Sequence, residues 1–307
     1  MYEVTDTVFR RIISDCAPFD LSMSEFVNVD GLTSVGRDKI IYRLDTSLDT
    51  EPIYAQLWGK KPENFKAIAA EIADGTIPGY AGIDINFGCP DKSVVKNECC
   101  SAMQQPHLWD QASEIISATM EGAGTIPVSI KTRLGFKDID YGWHEMILRH
   151  NPVMLTVHVR TTKQMSKVPA QWEKITPIVE LRDKISPDTK IILNGDIADK
   201  THGKQLIEEF GVDGVMIGRG VFTNPYAFSE DPRQWENTSR EDRIKLLQKQ
   251  LELYKETYPN DERKFQPLKK FAKIYISDFP GASEFRAQLM ESQSLDEMLE
   301  LVNNSLK

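Results

Sequence analysis

A thiol on a glycine–proline turn is the first group in this chain placed to do chemistry. Gly88-Cys89-Pro90 follows residues 82–87, where Ile83 and Ile85 alternate with Asp84 and Asn86 as in a short strand with one apolar face. Gly88 breaks that strand, and Pro90 fixes the backbone and donates no N–H. Cys89 therefore stands at a strand exit, where a side chain can meet a ligand. The plain alternative is a small buried hydrophobe, since free cysteines are among the most buried residues. The polar residues around it weigh toward the first reading.

Period two gathers further polar groups. It places Tyr54 with Gln56, Asp84 with Asn86, Lys131 with Arg133, and His158 with Arg160 on one face of successive strands. Ile53, Ile83, Ile130 and Val157 take the other face. Each polar set stands at the carboxyl end of its strand, and Asn194 does the same. Singly, each has an ordinary explanation: a snorkelling lysine, a structural histidine, an amide that ties down a loop. At equivalent ends of successive strands, they describe one polar rim. Asn194-Gly195-Asp196 and Gly218-Arg219-Gly220 close the last two strands, where glycine lets a backbone approach a phosphate and Arg219 adds charge.

The elements that must position this rim alternate along the chain. Strands are expected at residues 20–26, 52–58, 82–87, 128–133, 153–159, 190–193 and 214–217. Helices are expected at 6–15 (capped by Thr5), from Pro62, and near 108–121, 141–149, 172–183 and 200–209, with a hairpin through 39–44. Such alternation predicts a parallel sheet with crossovers, here a (β/α)8 TIM barrel whose carboxyl-end rim carries the site. The chain opens on a helix where a first strand ought to stand. Either that strand lies outside this chain or the barrel has a gap, and unpaired sheet edges are costly. After Phe228, SEDPRQWENTSR reads as a linker, and from about Arg240 the pattern is helical throughout, with further helices expected at 265–277, 283–291 and 294–304. The expected domains are therefore 1–230, the barrel, and 237–307, a C-terminal helical domain.

Composition narrows the class. A formal charge of -9 argues against nucleic-acid binding through the whole surface, yet Arg263, Lys264, Lys269, Lys270 and Lys273 cluster with no acid between them. That cluster reads either as a solvated helix face or as a local patch for phosphates. The four cysteines show no metal-ligand spacing; Cys16 falls on an apolar helical stripe, and Cys99-Cys100 reads as buried small residues or as a thiol relay. No apolar run approaches the ~20 residues of a membrane span, and no signal peptide opens the chain, so a soluble, cytoplasmic protein is expected.

Together, DINFGCPDKSVVKN, IKTRLGF, TVHVRT, LNGDI and GVMIGRGVFTNPYAF resemble the bacterial tRNA-dihydrouridine synthases, as do VTDTVFRR, SEFVNVDGL and the later PLKKFAKIYISDFPGASEFRAQL. The resemblance spans nearly the whole chain. It implies an FMN-binding barrel, a helical domain that helps hold tRNA, and NADPH as reductant; separately, a monomer is expected. By that resemblance Cys89 is the general acid; Gln56, Lys131 and His158 contact the flavin; and Asn194, Gly195, Asp196, Gly218 and Arg219 hold its phosphate end. Asn86, Arg133 and Arg160 would orient the uracil ring or the flavin, and Lys269, Lys270 and Lys273 would meet the tRNA backbone. Two departures stand out. Met1 occupies the place of a methionine that ends the family's first strand and touches the flavin, and Glu98-Cys99-Cys100 replaces a glycine-rich segment. A flavin barrel acting on a free pyrimidine or enone is the alternative for the rim, and an RNA-binding protein without catalysis is the alternative for the chain.

Overall fold

Apolar residues at every second position make the strands, and apolar stripes at helical spacing make the segments between them. The computed structural model describes residue 1, residues 3–259 and residues 265–307; Arg263 and Lys264 lie outside these. Helix α1 (Thr7–Cys16) comes first, capped by Asp6, whose carboxylate accepts from the Phe9 N–H. Thr5, the expected cap, instead receives the Met1 amine on its hydroxyl. Strands β1 (Ser22–Met23) and β2 (Val27–Asn28) follow, then the short helix α2 (Val29–Leu32). The expected hairpin is absent: residues 37–39 and 41–44 form two short 3-10 turns.

From there strand and helix alternate. The order is β3 (Ile53–Trp58), α3 (Pro62–Ala73), β4 (Gly82–Asn86), α4 (Lys92–Lys96), α5 (Trp109–Ala123), β5 (Val128–Arg133) and α6 (Tyr141–Leu148). It continues with β6 (Met154–His158), α7 (Thr176–Ile185), β7 (Lys190–Asn194), α8 (Lys200–Phe210) and β8 (Gly214–Met216). All pairings are parallel, and β1 and β2 are two pieces of one interrupted strand, both bonded to β3. The curled sheet thus has seven strand positions, and among the described residues no pairing joins β8 to β1 or β2. Among the described residues the sheet is therefore open at this seam, where a first strand is expected.

Register places the polar side chains in layers. Gln56 pairs with Asp84 and Asp84 with Ser129; Asn86 pairs with Lys131; Arg133 pairs with His158 and His158 with Asn194. The opposite face, with Ala55, Leu57, Ile83, Ile85, Ile130, Leu155, Val157 and Leu193, is buried against the surrounding helices. This apolar layer holds the polar one in place.

The C-terminal helices are α9 (Arg240–Thr257), α10 (Phe265–Lys269), α11 (Ala272–Tyr275), α12 (Ala282–Glu291) and α13 (Leu295–Ser305). They enclose a second core that also takes Val8, Phe9, Ile12 and Ile13 of α1. Phe9 stacks at 4.9 Å on Phe271 and at 6.0 Å on Phe222. No helix among the described residues is long and apolar enough to cross a membrane.

Candidate active site

The turn that carries Cys89 is clamped from three sides. Asn86, the last residue of β4, accepts on Oδ1 from the N–H groups of Gly88 and Cys89, each at 3.0 Å. Arg133, at the end of β5, donates from Nε to the Gly88 carbonyl at 2.7 Å. Ser101 donates from its hydroxyl to the Cys89 carbonyl at 2.7 Å. The thiol itself is half-buried. Burial pushes its pKa up, against the Asp91 backbone, Lys131 and Arg133, so the sulfur keeps its proton at neutral pH. A Cβ on Gly88 would lie 3.6 Å from the Lys131 ammonium, which places that ammonium beside the thiol turn.

Lys131 has no carboxylate partner among the described residues, and burial, then Arg133, push its pKa down to about 8. His158 is pushed to about 2 by burial and by Arg133, Lys131, Arg160 and Arg219, so its ring is neutral. Its Nε2 accepts from Arg160 Nη1 at 3.4 Å, which leaves the proton on Nδ1, a buried atom with no partner. Four cations around a neutral imidazole with an orphaned N–H describe a mouth built for an anionic, hydrogen-bonding ligand.

Asp196 organises the far side of that mouth. Its carboxylate pairs with Arg160, which is only 2 % exposed, and with Arg219 Nη2 at 2.9 Å, and it accepts from the Ala170 N–H at 3.2 Å. Gly195 and Asp196 hold φ of +127° and +53°, a turn in the chain just past the end of β7. Beyond the sheet ladder, the N–H groups of Gly195, Asp196, Gly218 and Arg219 make no backbone hydrogen bond among the described residues. The Asn194 side chain is committed elsewhere, donating to the Met216 carbonyl at 2.7 Å and tying β7 to β8. Gly220 must stay small, since a Cβ there would sit 2.3 Å from the Ala198 carbonyl.

Several side chains expected to face a ligand are occupied by the protein. Gln56 donates to Asp84 at 2.7 Å and accepts from Asn86 at 3.0 Å. Arg133 also reaches the Thr161 and Met165 carbonyls, and Arg160 the Val168 carbonyl. The α-amine of Met1 is pushed down to about 5 by burial, against Glu25 and with Arg10 and then Lys131 adding to the shift. It donates to the Thr5 hydroxyl, and the Met1 carbonyl accepts from the Val4 and Thr5 N–H groups. Ser101 and Ser129 escaped sequence reasoning, although Ser129 shares the period-two face with Lys131 and Arg133.

Glu98 and Cys100 keep φ of +56° and +50°, the left-handed backbone that glycine favours. Two non-glycine residues thus hold a backbone conformation that glycine would adopt without strain. Cys99 and Cys100 are buried, and burial pushes Cys99 up to about 11 and Cys100 well above its ordinary value, so both pack as neutral small groups.

The basic cluster is divided. Lys269 is buried, with its ammonium on the Met290 carbonyl at 2.9 Å. Lys270 and Lys273 are exposed and line, with Arg286, Phe222 and Phe279, a cleft of about 970 Å³ between the turn after β8 and helices α11 and α12.

The family model described as dihydrouridine synthase matches residues 1–307. The chain belongs to the dihydrouridine synthase family. Among relatives of this synthase, a probable tRNA-dihydrouridine synthase 2 of Bacillus subtilis is 42 % identical over 99 % of this chain and 91 % of its own. A probable tRNA-dihydrouridine synthase of Staphylococcus aureus is also 42 % identical, over 99 % of this chain and 90 % of its own. Among solved structures, morphinone reductase superposes with a TM-score of 0.53 at 11 % identity, over 77 % of this chain and 82 % of that one, a likeness of fold. The synthase is accordingly an oxidoreductase on a TIM-barrel scaffold.

Proposed function

We infer that this chain is a tRNA-dihydrouridine synthase that saturates the 5,6 double bond of a uridine in tRNA, with Cys89 as proton donor. The relatives carry that activity in their names, and one observation carries the reading. A protonated, half-buried thiol is clamped beside Lys131 in a cationic mouth at the strand ends. Flavin mononucleotide fits the groups left open there. The N–H groups of Gly195, Asp196, Gly218 and Arg219 suit its phosphate, with the Arg219 side chain adding charge. Lys131 and the His158 Nδ1–H suit its polar ring edge or ribityl chain. FMN held there would supply the hydride chemistry needed at carbon 6 of the uracil, with NADPH as the reductant.

The side chains do the rest. Cys89 delivers its proton to carbon 5 from the opposite face, a task suited to a group that is protonated at neutral pH. Asn86, Gln56, Arg133 and Ser101 hold the thiol turn rather than the uracil. Arg160 and Asp196 brace the phosphate side. Lys270 and Lys273 contact the RNA backbone, which helps offset the few kcal/mol needed to extrude a stacked base.

Two measurements follow from the charges. With Lys131 near 8 before the anion binds and higher after, binding takes up a proton only above that pH. FMN affinity should be flat below about pH 8 and fall above it, by up to about tenfold per pH unit. Lys131→Gln should bind weakly with no such decline. For the RNA, Lys270→Ala and Lys273→Ala should each weaken tRNA binding and lower its salt slope by about 1. Lys269→Ala should lower thermal stability and leave the slope alone.

The deciding assay incubates the flavin-loaded protein and NADPH with unmodified tRNA transcripts or free uridine, then quantifies dihydrouridine by mass spectrometry. Product from tRNA alone is expected. Comparable turnover of the free nucleoside points to a metabolite reductase, and a protein that takes up no FMN points to a non-catalytic RNA binder.

A further inference from the structure

One chain of hydrogen bonds beneath the mouth has a fixed direction. The N–H groups of Gly88 and Cys89 can only donate, so Asn86 must present Oδ1 to them at 3.0 Å. Asn86 Nδ2 then faces Gln56 and donates to its Oε1 at 3.0 Å. Gln56 Nε2 must in turn find an acceptor, and it finds Asp84 Oδ2 at 2.7 Å. Asp84 is fully buried, and its other oxygen accepts from the Ser129 hydroxyl at 2.6 Å. An amide in this place could be turned either way; a carboxylate only accepts.

We propose that Asp84 is a positioning residue for the proton donor, setting the orientation of Gln56 and Asn86 and through them the backbone that aims Cys89. It touches neither substrate nor cofactor. Reversal of the two amides would point Asn86 Nδ2 at the Gly88 and Cys89 N–H groups, donor against donor, and release the turn. Asp84 stands in register with Gln56 on one side and Ser129 on the other, so the barrel interior supplies the anchor and the mouth receives the result. Burial pushes Asp84 up to about 6 against Ser129, Gln56 and Lys131, which leaves it a carboxylate at neutral pH. The proposal rests on Cys89 being the acid.

The rival role for Asp84 is charge support for Lys131, and two substitutions separate them. Asp84→Asn keeps an acceptor for Gln56 while its NH₂ turns to the Ser129 oxygen; Asp84→Ala keeps neither charge nor acceptor. Flavin-loaded variants are assayed for kcat and KM on tRNA, and Cys89 is labelled with iodoacetamide and followed by peptide mass spectrometry. Asp84→Asn should stay within about 3-fold of wild type in kcat, and Asp84→Ala should lose about 10- to 100-fold with KM unchanged. Cys89 should label several-fold faster in the alanine variant alone, as its turn opens. Gln56→Ala should match Asp84→Ala, and the double variant should be no worse than either.

Should Asp84→Ala fail to fold, the near-isosteric Asp84→Asn/Ser129→Ala pair carries the same test. Its NH₂ has lost the serine and competes for Gln56, so kcat should fall at least about 10-fold while Ser129→Ala alone is near wild type. Equal losses in Asp84→Asn and Asp84→Ala, additive losses with Gln56→Ala, or unchanged labelling of Cys89 would each overturn the relay. Wild-type protein that makes no dihydrouridine removes the assignment of Cys89 as acid, whereas the labelling order still reports on the hydrogen-bond chain.

Discussion

The Cys89→Ala protein should remain yellow and fold normally, yet reduce tRNA about 10²- to 10⁴-fold more slowly than wild type. The contributions to flavin binding assigned above come from Lys131, His158 and the backbone at residues 195–196 and 218–219, none of which the substitution touches. Only the proton for carbon 5 is lost, and no other thiol replaces it, because Cys99 and Cys100 are buried and their protons are held more tightly still. Single-turnover reduction of tRNA by the pre-reduced protein checks this, since it reads the chemical step apart from flavin loading. A normal rate in Cys89→Ala would remove the acid assignment outright.

Arg133→Lys should be nearly as damaging despite its retained charge. The guanidinium spans three carbonyls, of Gly88, Thr161 and Met165, at 2.7, 3.3 and 3.0 Å. A lysine offers a point charge that cannot bridge all of them, so buried acceptors go unpaired. We expect a loss of about 3 kcal/mol in stability by urea unfolding and at least about 10²-fold in kcat. The Gly88 bond is the direct link to the thiol turn. Wild-type kcat in Arg133→Lys would mean that the turn holds its shape through Asn86 and Ser101 alone.

Much of this site is legible in the order of residues alone. Period two names the face on which a strand residue stands, and it puts Gln56, Asn86, Lys131, Arg133, His158 and Asn194 on the inner face, where they are found. It does not name a partner. Gln56, Asn86, Arg133 and Arg160 look free in one dimension, and all four turn to one another, to Asp84 or to backbone, because the fold brings acceptors that local sequence cannot show. Lys269 departs from expectation for a related reason. Four residues on from Phe265 and three before Ala272, it stands on the face that packs inward, and its ammonium ends on the Met290 carbonyl. The segment at 39–44 alternates well enough to suggest a hairpin, yet it has no neighbouring strand to pair with and closes on itself as short turns.

Helix α1 has an apolar face completed by partners far away in sequence, among them Leu247, Leu251 and Phe271. During synthesis it leaves the ribosome early and waits for them. At typical elongation rates that interval is roughly ten to fifty seconds. The nascent polypeptide therefore carries a sticky, half-finished surface for most of its birth, a natural landing place for chaperones.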